Sequence, residues 1–215
     1  MGGRTGLAIA TIALVVNGCS AEDGTQATSD DEIVSSPLAV SAMAPIATPS
    51  GMPEAWAQPD STGVFNQRGK CGAAAVANAL RLYGIEVSPE QADRDGVHFV
   101  IGSLAWNLHT YLDDHHPQLR CEVDHPLDGA GYLREKLDGG HPVMLWFNTE
   151  GGFQQSHWAV AVGHRGAGAD EKVIVMSWGA YYEIGMDRLE HAWRFVLGLP
   201  HPAVVCEATT SLIVR

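Results

Sequence analysis

The sequence predicts an α+β domain. Helix-type apolar spacing occupies residues 71–137. Short apolar runs rich in Val, Ile and Trp occupy residues 142–214. The two patterns do not alternate, which argues against a βαβ-built parallel sheet.

The elements follow in order. Cys71–Gly84 (CGAAAVANALRLYG) is an Ala-rich helix with Val76, Leu80 and Leu82 on its apolar face and Gly84 as its stop. Ser88-Pro89-Glu90-Gln91 opens a short second helix, with Ser88 as cap, Pro89 at the first helical position and Gln91 able to close a capping box. A third helix runs from Ser103 to about Asp114 on Leu104, Leu108, Tyr111 and Leu112. A fourth runs from about Gly131 to Leu137 and ends at Gly139-Gly140. Strands are expected at Pro142–Phe147, Trp158–Val162 and Lys172–Ser177, with a polar loop from His164 to Glu171. Met186–Arg194 reads as one more helix, and Ala203–Cys206 and Ser211–Val214 as closing strands.

Ahead of the domain, residues 1–19 read as an export signal. Arg4 is a minimal positive region, and Leu7–Val16 is apolar but too short to span a bilayer. Val16-Asn17-Gly18-Cys19 resembles a bacterial lipobox, which makes Cys19 a lipidation site and the membrane a partner. A plain secretory signal cut near Ala21 is the competing reading. Multiple acyl chains on Cys19 would give a stable anchor. Residues 20–60 read as an acidic tether rich in Ser, Thr, Pro and Ala, leaving 61–215 for the domain. Within the tether, IVSSPLAVSAMAP is apolar enough to pack on the domain.

Composition narrows the function. The chain has 215 residues, is 46% hydrophobic and 18% charged, and so can bury a core. Its formal charge is −12, from 13 basic and 25 acidic residues, which argues against phosphate-neutralising nucleic-acid binding. Half of that charge belongs to the tether: residues 20–60 hold seven acids and no base.

Cysteine usage locates the chemistry. With Cys19 set apart, Cys71, Cys121 and Cys206 remain. Cys121 and Cys206 lie in strand-like segments and are candidates for a bridge, which an exported domain permits. Cys71 opens a helix, where the partial positive charge favours thiolate, and Gly72 and Ala73 leave room for a substrate. A small buried Cys in an Ala-rich helix is the competing reading. His157 heads an alternating strand, a placement from which an imidazole can serve a nucleophile held on a helix.

Other candidates carry less. His115-His116 reads as a solvated helix end, where cations offset the dipole. His157 and His164 make a poor metal pair. Trp146, Trp158 and Trp178 fall on the expected strands, where core packing accounts for most tryptophans.

Taken together, Gln67…Lys70-Cys71-Gly72-Ala73-Ala74 and Tyr83-Gly84-Ile85 resemble the N-terminal motif of papain-like cysteine peptidases, in particular the bacteriocin-leader-processing peptidases. Ala73 stands where that family has Pro. His157-Trp158-Ala159-Val160…Gly163 is similar to its His strand, and Gly140-His141-Pro142-Val143 to its strand entry. The resemblance implies a papain-like fold, with the Cys helix packed on an antiparallel sheet that carries the His. It implies Cys71 as nucleophile, His157 as general base, no metal or cofactor, and a peptide or protein substrate. Gln67 is the candidate oxyanion donor with the Cys71 N–H, and Asn66 is the fallback, because Gln67 lies nearer the Cys than the family's donor. For the residue that orients the His, one alignment gives Ser177 and another gives Met176; neither is the family's Asp or Asn. Trp178 would then wall the cleft together with Gly72. Acyl transfer to or from side-chain amides, as in deamidases and transglutaminase-like enzymes, and a silent peptide-binding module use the same cleft and stay open.

Overall fold

A computed structural model describes residues 38, 43–57, 70–97, 103–149, 156–196 and 198–209, all within one compact unit. The elements are β1 (Pro45–Ile46), α1 (Lys70–Leu82), α2 (Pro89–Arg94), α3 (Ala105–His115), β2 (Leu119–Asp124), α4 (Gly129–Asp138), β3 (Val143–Asn148), β4 (Ser156–Arg165), β5 (Lys172–Ser177), β6 (Ala180–Gly185), α5 (Met186–Trp193), β7 (Phe195–Val196), β8 (Leu199–Pro200) and β9 (Ala203–Ala208). Seven strands form one sheet in the order β1-β6-β5-β4-β3-β9-β2, with every pairing antiparallel. This is the α+β architecture that the order of patterns predicts.

The sheet is covered on both faces. Trp146, Trp158, Val160 and Met176 point from one face into a core shared with Val76 and Leu80 of α1 and Leu108 and Leu112 of α3. Leu145, Phe147, Ala159 and Val175 point from the other face against Leu133 of α4 and Leu189 and Trp193 of α5. Burial on two sides explains the unbroken apolar run of β3, whose first five residues are all buried.

Local chemistry sets the ends. The Ser88 hydroxyl accepts from the Gln91 N–H at 3.2 Å, as a capping residue does. Asp128 accepts from the Gly131 N–H at 2.8 Å, so α4 starts at Gly129, earlier than Gly131. Gly84, at φ +73°, supplies the left-handed residue that ends α1.

Several expectations need correction. β4 does not stop at Val162. A bulge at residues 161–163 shifts the register, and His164 and Arg165 still pair with Val173 and Lys172. β2 lies between α3 and α4, and β6 follows β5 directly. Parts of the stretch expected as tether pack on the domain. Leu38 is fully buried and donates its N–H to Asn148 O at 3.0 Å. β1 pairs with β6, and Ile46 and Ala55 pack on the core. The apolar residues scattered through this polar stretch make it part of the domain. The expected strand 211–214, residues 1–37 and 58–69 lie outside the described residues.

At the far sheet edge, Cys121 and Cys206 stand opposite one another in the β2–β9 register and form a disulfide with Cα atoms 4.1 Å apart. Among the described residues no helix is long and apolar enough to cross a membrane.

Candidate active site

Two core elements meet at the site. Helix α1 presents Cys71 in its first turn, buried to 6% exposure. Its Ala-rich sequence lets the helix lie close against β4. The backbone N–H groups of Trp158, Gly72 and Cys71 itself lie near enough to the Cys71 sulfur to favour its thiolate. The thiol therefore meets the peptide N–H that directly follows His157. Close beside it, the Trp158 indole N–H donates to Ser103 O at 2.8 Å, tying β4 to the segment that precedes α3.

His157 is held from two sides. Its Nε2 lies 2.7 Å from the Ser177 hydroxyl at the end of β5. The Trp178 ring stacks on the imidazole with centroids 4.1 Å apart and planes 10° from parallel. Phe147 of β3 meets the ring edge-on. Ser177 thus fills the orienting position. The Met176 alternative fails, because that side chain alternates to the opposite face and is fully buried in the core.

The β5–β6 turn explains how Trp178 gets there. Ser177 pairs with Ala180, so the turn has two residues, Trp178 at φ +45° and Gly179 at φ +76°. Two successive positive φ values are the signature of a type I′ hairpin turn. Glycine takes that conformation freely, but a bulky residue there costs about 1–2 kcal/mol. Stacking on His157 and an edge-on contact with Tyr182 of β6 hold Trp178 in this conformation.

Burial governs the charge state. It pushes the Cys71 thiol up, against the opposing effect of the three N–H groups. It pushes His157 down to about 3, with burial as the cause. Thiol and imidazole are therefore both neutral in the unliganded chain. This corrects the expectation that the helix N-terminus alone favours thiolate: desolvation of a fully enclosed sulfur outweighs a partial charge. A neutral imidazole has one N–H, so the proton sits on either Nε2 or Nδ1. With the proton on Nε2, donated to Ser177, Nδ1 keeps its lone pair as a base.

The remaining sequence candidates separate clearly. Gly72 is not a cleft wall open to substrate. A Cβ there would lie 2.3 Å from Ser103 Cβ, so the glycine permits close packing of α1 on the segment before α3. His116 is buried, tilted against Tyr111, with its pKa lowered by burial, so only His115, which is exposed and stacks on Tyr111, fits a solvated end. Gln67, Asn66 and Cys19 lie outside the described residues. Among the described residues no group of three or more His, Cys, Asp or Glu side chains could hold a metal. Sequence reasoning missed Ser103 and Phe147, which neighbour the Cys and the His, because neither stands in a motif.

No protein-family model matches the sequence, and no curated protein matches it. Solved structures do. The peptidase domain of Streptococcus ComA, a bi-functional ABC transporter involved in a quorum-sensing pathway, superposes with a TM-score of 0.55 at 14% identity, covering 73% of this chain and 98% of that one. A C39-like peptidase from Bacillus anthracis superposes with a TM-score of 0.52 at 15% identity, covering 73% of this chain and 95% of that one. At such identities the likeness speaks of architecture, and the chain has the α+β, papain-like fold of these peptidase domains.

Proposed function

We infer that this chain is an exported thiol peptidase acting on peptides or proteins. One observation carries the reading: the only free cysteine among the described residues abuts the peptide bond after a histidine that a hydroxyl and an indole hold in place. The Cys71 thiol gives its proton to His157 Nδ1 as the sulfur attacks the scissile carbonyl. The Cys71 backbone N–H and an amide from Gln67 or Asn66 stabilise the oxyanion. His157 then protonates the leaving amine, and water releases the acyl group by the reverse sequence. Because both groups rest neutral, proton transfer accompanies attack rather than preceding it.

Export rests on the apolar Leu7–Val16 segment and on Cys121–Cys206, a bond suited to an oxidising compartment. Cys19 supplies the lipid anchor. A second reading draws on the neutral pair itself: with a hydroxyl where a carboxylate would stabilise imidazolium, the cleft holds peptides without cutting them.

The test is mass spectrometry of denatured casein incubated with the wild type and with Cys71→Ala. Backbone cleavage that disappears in the variant is expected. Conversion of Gln or Asn side chains by +1 Da would instead mark a deamidase, and an unchanged peptide map would mark the silent module.

A further inference from the structure

The segment 43–57 touches both halves of the site and neither catalytic group. On one side it grips α1. The Trp56 N–H donates to Asn78 Oδ1 at 2.7 Å, and Asn78 Nδ2 donates back to Trp56 O at 3.2 Å. Asn78 is 1% exposed and lies seven residues beyond Cys71, two turns along the same helical face. One turn further, Arg81 donates to Glu54 O at 2.8 Å, with its guanidinium 4.8 Å from the centre of the Trp56 ring.

On the other side the segment grips the β5–β6 hairpin. Pro45 and Ile46 pair with Tyr182 and Tyr181, and the Tyr181 hydroxyl donates to Pro53 O at 2.7 Å. Ala57 lies beside Gly179, 3.2 Å from where a Cβ would stand. This hairpin carries Ser177 and Trp178, the two groups that hold His157. Tyr182, paired with Pro45, also abuts Trp178.

We propose that segment 43–57 is a positioning strap, fixing the helix that bears Cys71 against the hairpin that orients His157, with Asn78 and Tyr181 as its two fastening residues. The two ends are fastened differently. Asn78 satisfies both backbone groups of Trp56, a geometry that no apolar residue of similar size reproduces. Tyr181 fastens Pro53 through a single hydroxyl. Tyr181→Phe removes the polar contact and leaves the ring packed in the core, whereas Asn78→Ala also removes the buried carboxamide. Small misplacement of reacting groups is costly in rate: about 1 Å can cost up to 10²-fold.

The proposal rests on the peptidase reading for its kinetic signature but not for its geometry. The experiment compares full-length wild type, Asn78→Ala and Tyr181→Phe. Kinetics use a quenched-fluorescent peptide that the wild type cleaves. A second readout is the NMR shift of the His157 ring proton, which the stacked Trp178 ring displaces. For both variants, kcat should fall about 10-fold with KM within about 2-fold, and the His157 signal should move toward its unstacked position. A fall in melting temperature with kcat and the His157 signal unchanged would make the strap merely structural and overturn the proposal. If Asn78→Ala does not fold, Tyr181→Phe decides alone. If the wild type cleaves nothing, the peptidase reading fails; the His157 signal then still decides whether the strap positions that ring.

Discussion

Strand β4 carries a histidine near each end, and the two ends are built on opposite principles. His157 is buried against one neutral hydroxyl and two aromatic rings. His164 lies between carboxylates, with Nε2 2.9 Å from Asp138 and Nδ1 3.1 Å from Glu171, the latter close but poorly aligned for a hydrogen bond. Glu171 is itself buried and held bidentately by Arg134. Where the strand needs only stability, it brings charges together and pairs them. Around His157 it supplies shape and one hydrogen bond and leaves charge out. On the peptidase reading, an imidazole kept neutral by burial accepts a proton only while the thiol delivers one.

The largest effect breaks this contrast by removing each histidine in turn. His157→Ala should lower kcat by about 10²–10⁴-fold, the usual contribution of a general base. His164→Ala should leave kcat at the wild-type value and lower the melting temperature. Equal kinetic losses from both would show that the two ends do not divide the labour in this way.

Next in size, Glu171→Gln should destabilise the fold by about 1–3 kcal/mol in urea unfolding, because a buried acceptor of three Arg134 hydrogen bonds is weakened. The sign with pH follows from the lowered pKa of Glu171, caused first by Arg134. Its stabilisation is present above the ordinary carboxylate range and is lost as pH falls through the folded value. The variant's stability should therefore converge on that of the wild type in acid. A difference that stays constant with pH would refute the charge-based account.

The smallest effect sharpens the contrast by making the His157 end resemble the His164 end. In the wild type, His157 titrates near 3 when folded and near 6.5 when unfolded. The unfolded chain takes up the proton first, so stability is full above 6.5 and falls as pH drops toward 3. Ser177→Asp supplies a carboxylate at Nε2, raises the folded pKa and flattens that slope. It should also speed alkylation of Cys71 by iodoacetamide at pH 6 by roughly 10-fold, the effect of about one pKa unit. An unaltered alkylation rate would mean that Ser177 does not control the imidazole.

Much of this arrangement is legible in the sequence, because local rules write it there. Cys71 at a helix start, His157 at the head of a strand and the cap at Ser88 are each set by a few neighbouring residues. What is missed depends on distant partners. β1 is two residues long and has no pattern of its own; it exists because β6 offers an edge. The choice of Ser177 over Met176 turns on which face of β5 each occupies. Gly72 reads as space for substrate until Ser103 is brought against it from beyond α2. The neutrality of Cys71 and His157 is a property of enclosure, which no motif records.

The two-residue turn after Ser177 has a consequence for how such a site can change over generations. The side chains of a hairpin alternate with period two, so adding or deleting one residue at Trp178-Gly179 would turn every later position of β6 over. It would also separate the indole from the imidazole. Length variation, the common currency of loop divergence, is closed to this corner of the molecule. The residue that holds His157 can be exchanged for another but cannot be relocated.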